Sequence, residues 1–111
     1  MEIEDRRKNP DRRTDRRYAL NIDIEWEGLV GRQRGSISDI SPLGCFILCS
    51  GEVENGETIK IFIPIADGMK VQLWGEVVNH VFEIGVGVKF IELNDSQKEF
   101  LNKLIESLGD N

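Results

Sequence analysis

The stretch ALNIDIEWE, residues 19–27, sets Leu20, Ile22, Ile24 and Trp26 on one side of an extended chain and Asn21, Asp23, Glu25 and Glu27 on the other. Successive side chains of a strand point to opposite faces, so this period of two marks a strand with one buried face and one face in water. The segments that follow repeat the signal between turn residues. After EGLVG comes RQRGSISDI; after SPLG comes CFILCS; ENGE leads into TIKIFIPI, where Ile59, Ile61 and Ile63 alternate with Lys60 and Phe62. ADG then turns into MKVQLWGEVVNHVF, and EIGVGVKFIEL ends the series with Val86, Val88 and Phe90 on one face. Six strands with short connections predict a mainly β protein, a six-stranded antiparallel β-barrel whose closure removes the exposed edges.

The two ends of the chain read differently. NDSQKEFLNKLIESLG, residues 94–109, has Asn94 as N-cap with Gln97 three residues on, and Phe100, Leu101, Leu104, Ile105 and Leu108 at helical spacing. Gly109 is the expected stop, so one amphipathic C-terminal α-helix packs on or plugs the barrel. At the other end, residues 6–18 read RRKNPDRRTDRRY. From Arg6 to Arg17 seven Lys/Arg face two Asp, a charge of about +5, which leaves about −11 for the rest of a chain whose net charge is −6. With Pro10 and almost no apolar residue beyond Ile3, residues 1–17 are expected to be a flexible basic N-terminal arm, and residues 18–111 the barrel with its helix.

The 111 residues fit one domain, and no apolar run approaches the ~18 residues that span a bilayer. The N-terminus lacks the apolar core of a secretory signal, so the expected compartment is the cytoplasm, with no stable membrane insertion. Cys45 and Cys49 fit that compartment. Four residues apart on a strand, they would be roughly 13 Å apart at ~3.3 Å per residue, too far for a disulfide, and read as small buried hydrophobes. His80 is the single histidine, which leaves zinc without a ligand set and offers no partnered acid, base or nucleophile. Neither an enzyme, a metal site nor a cofactor is expected.

Binding groups are better supplied. Arg13 and Arg17 stand four apart just before the first strand, with Arg12 and Arg16 as a second such pair, and DISPLG sets Asp39, Ser41 and Gly44 around a Pro-containing turn. Either feature alone is ordinary: arginines solubilise tails, and Asp, Ser and Gly are common in turns because they satisfy local backbone groups or tolerate positive φ. Taken together they suit a guanine nucleotide. Guanidinium groups pair with phosphate and with the O6/N7 edge of guanine, and a carboxylate and a hydroxyl suit the N–H donors of its other edge. A glycine at the turn would let backbone come close to such a ligand.

The order and approximate spacing of RTDRR, DISPLG, WGEVV and IGVGVKF resemble those of PilZ domains over about residues 12–105. The resemblance implies a barrel with a C-terminal helix that binds the bacterial second messenger cyclic di-GMP. It implies that Arg13 and Arg17 engage guanine and phosphate, and that Asp39, Ser41 and Gly44 hold a guanine from the barrel surface. Counting back from the strand makes Arg17 the second arginine of the motif and Arg12 the residue before it. In the family an arginine there accompanies two intercalated cyclic di-GMP molecules, an expectation that passes to Arg12. The implied function is a receptor and adaptor that changes arm conformation on binding and signals to a protein effector. The competing reading is a single-stranded nucleic-acid binder built on a small barrel. Against it, Asp23, Glu25, Glu27, Glu76, Glu83 and Glu92 would line a groove meant for a polyanion, so no nucleic-acid partner is expected. A polybasic membrane contact is weaker still, because Asp11 and Asp15 interrupt the positive run.

Overall fold

The alternation of residues 19–27 is realised in strand β1 (Tyr18–Gly28), where Ile24 and Trp26 are buried and Asn21 and Asp23 are exposed. The computed structural model describes residues 16–109, so most of the expected arm, Arg12 and Arg13 included, lies outside the described residues. After β1 come β2 (Gly31–Ile40), β3 (Gly44–Leu48), β4 (Thr58–Ala66), β5 (Met69–Val81), β6 (Gly85–Ile91) and one helix, α1 (Asp95–Gly109). The strands close into a barrel in the order β1-β2-β3-β6-β5-β4, with every neighbouring pair antiparallel. The expected six-stranded antiparallel barrel with a C-terminal helix is the observed fold.

Inward-pointing β-branched residues fill the interior. Ile37, Ile47, Ile59 and Ile61 are fully buried, with Trp26, Leu73, Val77 and Val86 at about their depth. A branched side chain suits the pleated wall of a small barrel because its χ1 is already restricted there and little rotamer freedom is lost on packing. The turn between β4 and β5 places both Asp67 (φ 45°) and Gly68 (φ 81°) in the left-handed region. That mirror-image turn matches the twist of a tight hairpin, and Asp-Gly is its preferred pair.

Closure between β1 and β4 is short, running from Glu25 opposite Phe62 to Glu27 opposite Lys60. Beyond it the strands part around a cleft of about 540 Å³ whose walls include Asp23, Glu25, Arg34, Phe62 and Lys70. Across it Lys70 pairs with Glu25 and Ser36 donates to Asp23, and Arg32, outside the lining, is a second partner of Glu25.

α1 begins with the reciprocal cap read from the sequence. The Gln97 N–H donates to Asn94 Oδ1 and the Asn94 N–H donates to Gln97 Oε1, each at 2.8 Å. Gln97 Nε2 also donates to the Gln72 carbonyl at 2.8 Å, fixing the helix start against β5. Leu101 and Ile105 are buried, while Phe100, Leu104 and Leu108 pack half-buried on the core with Tyr18, Leu20 and Ile22. Gly109, expected as the stop, is the last described helical residue and lies under the Tyr18 ring, where a Cβ would come within 2.9 Å of the ring edge.

The cysteines are free. Cys45 faces the interior from β3, and burial pushes its thiol up to about 12. Cys49 lies just past the end of β3 and is half-buried; burial raises its thiol too, opposed by the Gly51 backbone and the Trp26 indole. A raised pKa means less thiolate at neutral pH, and thiolate is the reactive form.

Leu101→Ala should cost about 2–5 kcal/mol by leaving a cavity under the helix, and Asn94→Ala only about 1 kcal/mol through the lost cap, both read from urea denaturation. Equal losses would show that the helix is held by its cap and not by packing. In the folded protein at about pH 8, a thiol reagent such as DTNB should modify Cys49 slowly and Cys45 only as the protein unfolds. Equal fast reaction of both would contradict the burial of Cys45.

Candidate functional site

Ile37 and Ile40 are three residues apart on β2, yet both are fully buried. Strict alternation forbids that. An extra residue makes it possible: Ile37 lies opposite Ile47 and Asp39 opposite Phe46, so Ser38 is a β-bulge against β3. On the other side, Ala19 pairs with Asp39 and Ile22 with Ile37, which puts a compensating irregularity in β1. Bulges re-aim side chains and occur next to functional sites. Here the bulge leaves Asp39 on the outer surface at the end of the barrel where the chain enters.

The entering chain meets it there. Arg17 Nε donates to Asp39 Oδ1 at 2.5 Å, with the two side chains 47% and 34% exposed. The next residue back, Arg16, lies over the Tyr18 ring, 5.1 Å from its centroid. The described end of the arm and the DISPLG segment, separate in sequence, are therefore in direct contact. The ion pair engages one guanidinium nitrogen and one carboxylate oxygen, which leaves the Arg17 Nη groups and Asp39 Oδ2 without a partner among the described residues.

Ser41 is placed differently from Asp39. It is 1% exposed, and its Oγ accepts the N–H groups of Leu43 at 3.1 Å and Gly44 at 3.3 Å, while the Ser41 N–H donates to the Gly44 carbonyl at 2.8 Å. The hydroxyl staples its own turn, as serine does when it stands in for a backbone acceptor. The turn is tied to the barrel by the Phe90 N–H, which donates to the Leu43 carbonyl at 2.8 Å. Gly44 is buried and does not have a positive φ. What comes close to it is β6: a Cβ on Gly44 would collide with the Val88 carbonyl oxygen and lie 3.2 Å from Lys89 Cα.

The described site is thus an open surface made by Arg17 and Asp39, carried on a turn held by Ser41 and Gly44. Arg12 and Arg13 lie outside the described residues. None of the four described motif residues lines the 540 Å³ cleft. Cys45 lies beneath the ion pair and feels both partners, Arg17 lowering and Asp39 raising its thiol against the larger effect of burial. The direct pairing of Arg17 with Asp39 and the inward hydroxyl of Ser41 have no signature in the sequence. Among the described residues no group of three or more His, Cys, Asp or Glu could hold a metal, and no helix is long and apolar enough to cross a membrane.

Comparison with known proteins bears on the family and the fold. The PilZ domain family matches residues 11–107. Among solved structures, the chain resembles the PilZ domain of CeSA from a cellulose-synthesizing bacterium, with a TM-score of 0.67 at 18% identity over 84% of this chain and 97% of that one. It also resembles the Bacillus subtilis inhibitor of motility MotI/DgrA, with a TM-score of 0.64 at 14% identity over 79% of this chain and 46% of that one. A third likeness is to the Borreliella burgdorferi PlzA protein, solved in complex with c-di-GMP, with a TM-score of 0.67 at 10% identity over 90% of this chain and 43% of that one. The chain spans less than half the length of the last two. Comparison with curated proteins by sequence finds no significant match. PilZ domains are non-catalytic and generally bind cyclic di-GMP. With the family's pattern matched from the arm to the last turns of the helix, and its fold realised strand for strand, the chain belongs to the PilZ domain family.

Proposed function

We propose that the chain is a cyclic di-GMP receptor that signals to a protein effector, with the nucleotide held between Arg12, Arg13 and Arg17 of the arm and the Asp39–Gly44 turn. The Arg17–Asp39 contact carries this reading, because it brings the two motifs to one surface. The Nη donors of Arg17, unpaired among the described residues, suit phosphate oxygens and the O6/N7 edge of guanine, and Asp39 Oδ2 suits its N1–H and N2–H donors. Ser41 contributes through the turn that presents Asp39, since its hydroxyl is already occupied. Gly44 contributes by letting that turn sit against β6. An intercalated pair of nucleotides is the stoichiometry that Arg12 favours.

Two of the outer aromatic rings, Phe62 and Trp74, speak against a platform for single-stranded nucleic acid. Arg32 covers Phe62 at 4.3 Å and Lys60 covers Trp74 at 5.2 Å, so these faces are taken by the protein's own cations instead of being open to bases.

In calorimetric titrations with cyclic di-GMP, Arg13→Ala and Arg17→Ala should each weaken binding tenfold or more, since a charge-assisted contact is worth roughly 1.5–3 kcal/mol and ~1.4 kcal/mol is tenfold. Arg17→Ala should hardly change the melting temperature, because its ion pair is largely exposed. Asp39→Ala should behave in the same way, whereas Ser41→Ala should lose affinity and about 1–3 kcal/mol of stability together, by leaving two N–H groups of the turn unpaired. Cyclic di-AMP should bind far more weakly, since adenine presents an amino group where guanine has O6. Wild-type binding by both arginine variants, or equal affinity for the two dinucleotides, would refute the assignment.

The nucleotide should fix only the part of the arm beside the barrel. Ordering the six residues Arg12–Arg17 costs about 6–12 kcal/mol, which several charge-assisted contacts can offset, whereas ordering the whole arm would cost several times more. Saturating ligand should therefore protect the tryptic bonds after Arg13 and Arg16 and leave those after Arg6, Arg7 and Lys8 unchanged. Uniform protection, or none, would remove the arm as the moving part.

A further inference from the structure

The barrel end opposite the nucleotide motifs has an unusual surface. There the β1–β2 hairpin ends in Leu29 and Val30, 87% and 72% exposed, and the β5–β6 hairpin ends in Phe82, 71% exposed. Hairpin tips favour Gly, Asn and Asp, because those residues tolerate the turn geometry and water. Here the backbone demand is met by other residues: Gly31 takes φ 122° in the first turn, and Glu83 takes φ 61° in the second. The apolar side chains are left at the tips with no turn chemistry to explain them.

Both tips are fastened to one loop. The Leu29 N–H donates to Glu57 Oε2 at 2.8 Å, and the Cys49 N–H donates to the Ile84 carbonyl at 3.1 Å. Glu57 Oε1 in turn accepts the Glu54 N–H at 3.1 Å. Between the tips lies a groove of about 370 Å³ with Leu29, Val30 and Phe82 on its walls, Glu52, Glu54 and Glu57 among its lining, and no Lys or Arg among the described residues that line it. A preformed apolar groove with a carboxylate rim matches one kind of occupant.

We propose that this end of the barrel docks a partner protein through a segment that carries apolar side chains flanked by Lys or Arg. The proposal deepens the adaptor reading by giving the effector a contact surface, and rests on that reading for its biological sense. Charge complementarity selects this occupant: apolar side chains fill the groove while basic groups meet Glu52 and Glu54. A second copy of the chain would bring the same carboxylates against themselves in a self-complementary contact. The chain's own arm is basic, but residues 1–15 supply only Met1 and Ile3 as sizeable apolar side chains to fill the groove. An anionic lipid surface would be repelled by the rim.

The test uses the full chain with a short amphipathic peptide of Leu and Lys as probe, a Leu/Glu and a Ser/Lys peptide as controls, and amide chemical shifts as the readout. The Leu/Lys peptide should shift the amides of Leu29, Val30, His80 and Phe82. Its affinity should fall at least about tenfold in Leu29→Ser/Phe82→Ser and, separately, in Glu52→Lys/Glu54→Lys, with neither control binding comparably. Cyclic di-GMP titrations of both double variants should match wild type, which keeps a failure of docking distinct from a failure of nucleotide binding. No binding of the Leu/Lys peptide, shifts elsewhere on the barrel, or equal binding by the Leu/Glu peptide would overturn the proposal. So would preferential binding to phosphatidylglycerol vesicles, or a dimer in sedimentation that Phe82→Ser dissolves.

Discussion

One extra residue in β2 joins the core of this protein to its surface chemistry. Ser38 breaks the alternation so that Ile37 and Ile40 can both fill the barrel, and the same break leaves Asp39 outside, within reach of Arg17. Without the bulge, a strand carrying Ile37 inward would carry Asp39 inward as well, since residues two apart share a face. A carboxylate would then be buried, and Ile40 would be in water. Core packing and site placement are consequences of a single irregularity, so neither can be altered alone. The turn after it is equally committed: Ser41 closes it from within and Gly44 lets β6 pass.

This dependence explains what the sequence could and could not reveal. Alternation in Leu20–Trp26, Ile59–Ile63 and Val86–Phe90 was enough to read the strands, because each face of those segments has one environment and the period is unbroken. Asn94 and Gln97 announced the helix for a similarly local reason, their bonds joining residues three apart. The bulge at Ser38 was not legible, since it is defined by the register of β2 against β3, a relation between segments. Nor was the direction of the Ser41 hydroxyl. Asp-x-Ser-x-x-Gly is compatible with a serine facing a ligand and with one facing its own turn, and only the burial of the turn against β6 decides which. Gly44 was read as room for a close approach, and Val88 is what approaches in this structure. The GLVG turn was passed over because glycines at its edges account for a turn, and nothing local reveals that Leu29 and Phe82 flank one groove.

Charge is distributed by the same logic. The strands put carboxylates on the outer wall, and many of the body's cations are spent locally: Arg32 on Glu25, Glu27 and Phe62, Lys70 on Glu25, and Lys60 on Trp74. Hydrogen bonds from Lys70 and Arg32 hold the Glu25 carboxyl below its ordinary range, so this cluster stays paired above that range and loosens only as acid titrates it. The surplus of positive charge is therefore left to the arm. On the proposed reading an anionic ligand is met by these arginines, of which Arg17 is seen to pair with Asp39.

A receptor needs an element with two states that the ligand distinguishes, and the barrel itself is poorly suited to be that element. β1 and β2 run from the nucleotide end to the opposite groove with their registers pinned by buried Ile24, Trp26, Ile37 and Ile40. A slip of one residue would turn all of these into water, so the strands cannot carry a graded shift from one end to the other. Ser41 and Gly44 likewise hold the turn in one arrangement. The proposed function then concentrates the differential contacts of a nucleotide where the chain enters, on Arg17 and the arginines before it. On the proposed reading the two ends divide the work: the groove at Leu29 and Phe82 is present whether or not nucleotide is bound, and what changes with nucleotide is the basic segment at the other end. A partner could be held constitutively at the first and meet a different surface at the second, which makes the barrel a rigid spacer between a standing contact and a conditional one.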